Sequence, residues 1–110
     1  MLKRLEWLGS ARDAVRRFPL SARQRAGYEL YLVQSGLQPS DCKAMPSIGP
    51  GVQEIRVHTE LEHRVFYVAK FEEAVYVLHA CEKKSRKTSR HDLELTKSRL
   101  NELFRKRIAS

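Results

Sequence analysis

Near its C-terminal third the chain reads HACEKKSRKTSRHD, from His79 to Asp92. Lys83, Lys84, Arg86, Lys87 and Arg90 follow a single acid, Glu82, and Thr88 adds a hydroxyl. Ammonium, guanidinium, imidazole and hydroxyl groups are a limited kit, but they match one reaction: cleavage of RNA without a metal. There the substrate's own 2′-OH attacks the adjacent phosphate. The protein must take that proton, offset charge on the phosphoryl oxygens, and protonate the leaving 5′ oxygen. Arg and Lys suit the middle task, because the charge develops only in the transition state.

Proton transfer needs a group titrating near neutrality, such as His, or a Lys whose pKa is depressed by neighbouring cations. Lys83 beside Lys84 is such a pair. His79 is a candidate shuttle, and it reads equally well as a core-edge histidine bonded to backbone. His91 stands at a helix start and is expected to be exposed. Two further cations, Arg56 and Arg64, lie on predicted strands that an antiparallel meander would bring beside Lys83. Arg56 has two readings as well, a phosphate contact or a pair with a carboxylate such as Glu54 or Glu62. His58 and His63 read as surface histidines. No DxD pair, nucleophile elbow, phosphate-binding glycine loop or dinucleotide fingerprint occurs, and neither metal nor cofactor is expected. Cys42 and Cys81 are too few for a disulfide framework and lack metal-ligand spacing.

Composition points the same way. A net charge of +8 on 110 residues argues for a polyanionic partner. Length predicts one domain, residues 1–110, with one modest core. No apolar run approaches a membrane span and no secretory leader is visible, so a cytoplasmic protein with no membrane role is expected.

The elements that would position these groups follow from periodicity. Leu2 to Leu8 can form a short strand, with Trp7 as a core anchor. Ser10 and Asp13 make a capping box ahead of a stripe of Ala11, Ala14, Val15 and Phe18, and Pro19 ends that helix. Ser21 and Gln24 form a second box, followed by Ala22, Ala26, Leu30, Val33 and Leu37 at helical spacing. Gly36 sits where a C′ glycine belongs. Gly27, inside this helix, is expected to mark close packing on a neighbour. Gln38 to Gly51 is rich in Pro and Gly and reads as a loop. Val52 to His58 and Arg64 to Phe71 read as strands. A third opens at Ala74, with Val75, Val77 and His79 on one face and Ala74, Tyr76, Leu78 and Ala80 on the other. Both faces are largely apolar, which marks an interior strand covered on both sides. Ser89 and Asp92 start a last helix carrying Leu93, Leu100, Leu103, Phe104 and Ile108 on one side. The predicted order is β-α-α-β-β-β-α. This is an α+β domain in which an N-terminal helical hairpin and a C-terminal helix pack on an antiparallel sheet.

Trp7-Leu8-Gly9, Phe18-Pro19, Gly27 with Gln34 and Gly36, and the stretches KAMPSIGPGVQEIRV, RVFYVAKF and AVYVLHACEKKSRKT resemble the phage-derived Gp49-like proteins. These belong to the HigB branch of the RelE/ParE toxin superfamily, and the similarity runs from about Leu5 to about Leu103. The resemblance implies a RelE-like fold and the toxin of a type II toxin–antitoxin pair. It implies an mRNA interferase acting on the translating ribosome, and a cognate antitoxin of the helix-turn-helix DNA-binding kind. By the same resemblance Arg64, Lys83 and Lys84 are candidate catalytic residues, and His79 joins them on the residue chemistry given above. Arg56, Lys43, Lys87, Thr88, Arg90 and His91 would hold RNA. Cys81 stands where relatives commonly carry an aromatic residue, and the superfamily's terminal Tyr or His has no clean match, His91 being only nearby. The rival reading is a non-catalytic binding protein that blocks ribosome or DNA gyrase.

Overall fold

The computed structural model describes residues 2–84 and 87–109. Arg86 of the basic run lies outside the described residues. In chain order the elements are β1 (Arg4–Trp7), α1 (Ala11–Arg16), α2 (Leu20–Gln34), β2 (Cys42–Ala44), β3 (Val52–His58), β4 (Glu62–Val68), β5 (Ala74–Lys83) and α3 (Arg90–Ala109). They form a mixed α+β arrangement of five strands and three helices, with sheet order β1-β5-β4-β3-β2. As predicted, β3, β4 and β5 form an antiparallel meander over short connections.

Each sheet face carries its own core. On one, Ala11, Val15, Ala22, Ala26, Leu30 and Val33 of α1 and α2 pack against Ile55, Val57, Val65, Val75 and Val77. On the other, Leu100 and Leu103 of α3 pack against Val52, Phe66, Val68 and Leu78. Burying such side chains contributes about 1.5–3 kcal/mol each, which outweighs the cost of about 1 kcal/mol for Gly27 inside α2.

The sheet differs from the expected antiparallel one in two ways. First, β1 runs parallel to β5, with Arg4 opposite Ala74. No hairpin joins these strands, so no tight turn fixes their relative direction. Second, β2 adds a short antiparallel edge inside the stretch read as a loop, with Lys43 opposite Glu54. Arg56 N–H donates to Asp41 O (2.9 Å) and Met45 N–H to Val52 O (2.8 Å) at its two ends. The added strand covers an edge of β3 that would otherwise be open.

A bulge alters the faces of β5. Phe66 pairs with His79 and Tyr67 with Val77, so Leu78 has no counterpart on β4. Val75 and Val77 stay on the α1/α2 face, but His79 turns over to the α3 face and Ala80 joins the first core. Strict alternation had placed His79 with Val75 and Val77. The Leu78 carbonyl accepts a hydrogen bond from Arg99 Nη1 (3.0 Å), and Arg99 Nη2 donates to Ser10 Oγ (2.7 Å).

That second bond explains a failed cap. The Ser10 side chain makes no capping bond to α1. Likewise α2 begins at Leu20 with Pro19 as its N-cap, so Ser21 falls inside the first turn. The end of α2 matches expectation. Gly36 has φ +80°, Gly36 N–H donates to Val33 O (3.0 Å) and Leu37 N–H to Leu32 O (2.9 Å), a Schellman closure. Gly27 does not mark close packing, since an added Cβ would meet nothing within 4 Å. Leu37 and Ile108 extend the apolar stripes in sequence but lie beyond the cores and are exposed.

Candidate functional site

Alternation along the three meander strands sends Glu54 and Arg56 (β3), Arg64 (β4), and Cys81 and Lys83 (β5) toward the α3 side. Cross-strand register then makes rows: Lys43, Glu54, Phe66 and His79 in one, Arg56, Arg64 and Cys81 in the next. Two arginines directly opposite each other would repel. Glu54 resolves this. Its carboxylate is 2% exposed, and Oε1 lies 3.2 Å from Arg56 Nε and 3.5 Å from Arg64 Nε. On its other side the Thr88 hydroxyl donates to Oε2 at 3.5 Å. A buried carboxylate needs such partners to remain charged.

Two adjoining cavities open at this end of the sheet. One, of about 310 Å³, is lined by Lys43, Met45, Ser47, Glu54, Arg56, Lys83, Lys87, Thr88 and Leu93. The other, of about 210 Å³, is lined by Cys81, Glu82, Lys83, Lys84, Lys87, Thr88, Ser89 and Asp92. Lys83, Lys87 and Thr88 line both. The structure therefore brings together Lys43, Arg56, Lys83, Lys84, Lys87 and Thr88. It places Arg64 beneath them, 8% exposed, with Nη1 donating to His63 O (3.2 Å) and lying 3.6 Å from Glu62. Arg90 and His91 line neither cavity; Arg90 turns to Glu94 at 3.3 Å.

The predicted start of α3 is as expected. Ser89 Oγ accepts from Asp92 N–H (3.1 Å) and donates to Asp92 Oδ2 (2.6 Å). The partial positive charge of this helix end borders the second cavity. His79 is buried and lines neither cavity. Its ring stacks on Phe66 with centroids 6.3 Å apart. Burial pushes its pKa down, against the pull of Asp92, and so favours the neutral imidazole. From Nε2 it donates to Asp92 Oδ1 (2.7 Å). Nδ1 has no partner. The core-edge reading of His79 holds, with a side-chain carboxylate as its partner rather than backbone. Burial acts to raise Asp92, but the bonds from Ser89 and His79 outweigh it and the pKa falls. Burial, reinforced by Asp92, pushes the Cys81 thiol up to about 12.

The two remaining histidines divide. His63 is 1% exposed and packs on Phe18 with centroids 4.3 Å apart, so it is not the surface residue expected. Burial lowers its pKa. His58 is exposed and sits between Asp41 and Glu62. The sequence had named Glu54 only as a partner for Arg56 and Asp92 only as a cap. The legible signal was Glu54 two residues before Arg56 on one strand face, an acid among cations.

The fold and site define a class: a small basic α+β domain whose meander ends in a cation-walled cleft around one buried acid. The family model described as phage derived protein Gp49-like matches residues 13–101, a span holding every residue that lines the two cavities. The chain belongs to this Gp49-like family, a RelE/HigB-like toxin family. No curated protein matches it. No described helix is long and apolar enough to cross a membrane.

Proposed function

We propose that this chain is the RelE-like, HigB-type toxin of a type II toxin–antitoxin pair and that it cuts messenger RNA on the ribosome in the cytoplasm. The observation that carries this reading is the convergence of Lys43, Arg56, Lys83 and Lys87 on one cavity, where Glu54 is the only carboxylate among the described lining residues. Cations hold the RNA backbone there and offset charge on the attacked phosphate, with Arg64 adding its field from below. Glu54 is within the cavity to take the 2′-OH proton. Lys83 lines both cavities and would protonate the leaving 5′ oxygen, with Lys84 lining the second beside it. A helix-turn-helix antitoxin would neutralise this toxin by covering or distorting the cleft. Family membership supports the toxin role, and the cleft supports the chemistry.

The test is induction of the chain in bacteria with mapping of new RNA 5′ ends. Cleavage within translated frames that leaves 2′,3′-cyclic phosphates, and that is lost in Lys83→Ala, is expected. Growth arrest with no new ends would instead support a non-catalytic block of ribosome or gyrase. Phosphate contacts also predict binding that weakens steeply with salt.

A further inference from the structure

Three side chains outside the proposed cleavage groups bring nitrogen, sulfur and oxygen donors together. His79, Cys81 and Asp92 each offer one ligand atom, and these lie within 4.8 Å of one another. His79 and Cys81 are two apart on β5 and share the α3 face. Asp92 enters from the first turn of α3, where Ser89 fixes its orientation. We propose that His79, Cys81 and Asp92 form a binding site for a divalent transition-metal ion of the zinc type, clamping the start of α3 to β5.

The donor set fits such an ion. Imidazole nitrogen, thiolate sulfur and carboxylate oxygen are the three ligand classes that zinc takes, and three protein ligands with one open position is an established zinc arrangement. A calcium or magnesium ion would want oxygen donors throughout. Cys81 and Asp92 also line the second cavity, so a water has access to the fourth position. Binding sends the proton of the Cys81 thiol to solvent and breaks the Nε2–H bond to Asp92; the imidazole changes tautomer, its single proton passing from Nε2 to Nδ1, which has no protein partner among the described residues. Thiolate and carboxylate together cancel the charge of the ion, so a neutral centre forms beside the lysines. Local charge rises by only one, because one proton leaves as the ion arrives. Lys83 and Lys84 of the proposed cleavage groups share the second cavity but are not ligands, and neither are Glu54, Arg56 and Arg64, so the proposed ion site does not depend on that reading.

Cobalt(II) added to chelator-treated full-length protein tests this directly. One ion per chain is expected, with a thiolate-to-cobalt charge-transfer band in the near ultraviolet that stoichiometric zinc abolishes. Cys81→Ser should remove the band, and His79→Gln or Asp92→Asn should weaken cobalt binding by more than the ~10–100-fold typical of losing an outer partner. Zinc should raise Tm in the unmodified chain and leave Tm of Cys81→Ser unchanged. His58→Gln, which alters the other histidine–carboxylate cluster, should behave like the unmodified protein. Absence of a thiolate band in the unmodified chain overturns the proposal even if a variant fails to fold. So does a band that survives in folded Cys81→Ser, or one lost in His58→Gln.

Discussion

Glu54 Oε1 lies 3.5 Å from Arg64 Nε, and the two side chains are 2% and 9% exposed. Each holds the other in a place neither would occupy alone. Arg64 faces Arg56 across the ladder. Without the carboxylate its one remaining ion-pair partner among the described residues would be Glu62, at 3.6 Å. Glu54→Gln is therefore expected to cost about 3–5 kcal/mol, the scale for breaking a buried pair from one side. Arg56→Gln, with a side chain 32% exposed, should cost less than about 1 kcal/mol. Urea unfolding of both variants checks this. Equal losses would mean that Glu54 is not the keystone of the cationic wall.

Arg99 stabilises the bulge rather than the helix that carries it. The bulge leaves Leu78 without a strand partner, and Arg99 supplies its carbonyl with a donor while binding Ser10. Arg99→Met should lower stability by about 1–3 kcal/mol, since a buried carbonyl loses its partner. Ser10→Ala should cost less, because that serine makes no capping bond to α1. Thermal denaturation distinguishes them, and the reverse order would refute the role given to Leu78.

Gly27 and Gly36 make a matched pair. A Cβ at either meets nothing within 4 Å, but only Gly36 has positive φ, at +80°. Space is thus equal and backbone conformation differs. Gly27→Ala should stabilise by about 0.5–1 kcal/mol by restricting the unfolded chain and raising helix propensity. Gly36→Ala should destabilise by roughly 1–2 kcal/mol because it forces an L residue into the left-handed region. Chemical denaturation midpoints should move in opposite directions.

His58 gives the domain a pH dependence. Hydrogen bonds to Asp41 and then Glu62, at 2.5 and 2.6 Å, raise its pKa. A raised folded pKa means the imidazolium contributes stability fully below the unfolded value, about 6.5, and loses that contribution as pH rises through the folded value. The contribution of His58 should therefore fall slightly from about pH 6 to above the raised value, against the rise up to about pH 6.5 that the lowered pKa values of buried His63 and His79 produce. The fall should stay below about 1 kcal/mol because the ring is half-exposed. His58→Gln should flatten this slope. An unchanged slope would place the titration elsewhere.

What was legible in the sequence was what local rules encode. β3 has the predicted bounds, the Ser89–Asp92 box starts α3, and Gly36 ends α2. What escaped depends on distant partners. β1 takes its direction from β5, and Ser10 lost its capping role to an arginine on α3. No glycine announces the bulge at Leu78, yet that bulge decides which face His79 occupies. The cationic wall followed from composition and alternation. Glu54 beneath it did not stand out, because an acid among basic residues reads as an ordinary surface pair until its burial is known.

The pairing of β1 with β5 also orders events in time. Arg4 sits opposite Ala74, a separation of seventy residues, whereas β3, β4 and β5 close over short turns. Loop-closure entropy favours the short turns first. During synthesis the N-terminal strand emerges with nothing to pair with until β5 has been made. We expect β1 to dock last, and amide hydrogen exchange should show residues 4–7 to be the least protected strand of the meander side; strong protection there would contradict this order. The described residues that wall the cleft come from β2, β3, β5, the start of α3 and the connections after β2 and β5, and none from β1. A strand made well before β5 would thus be the final seal on a site already assembled behind it.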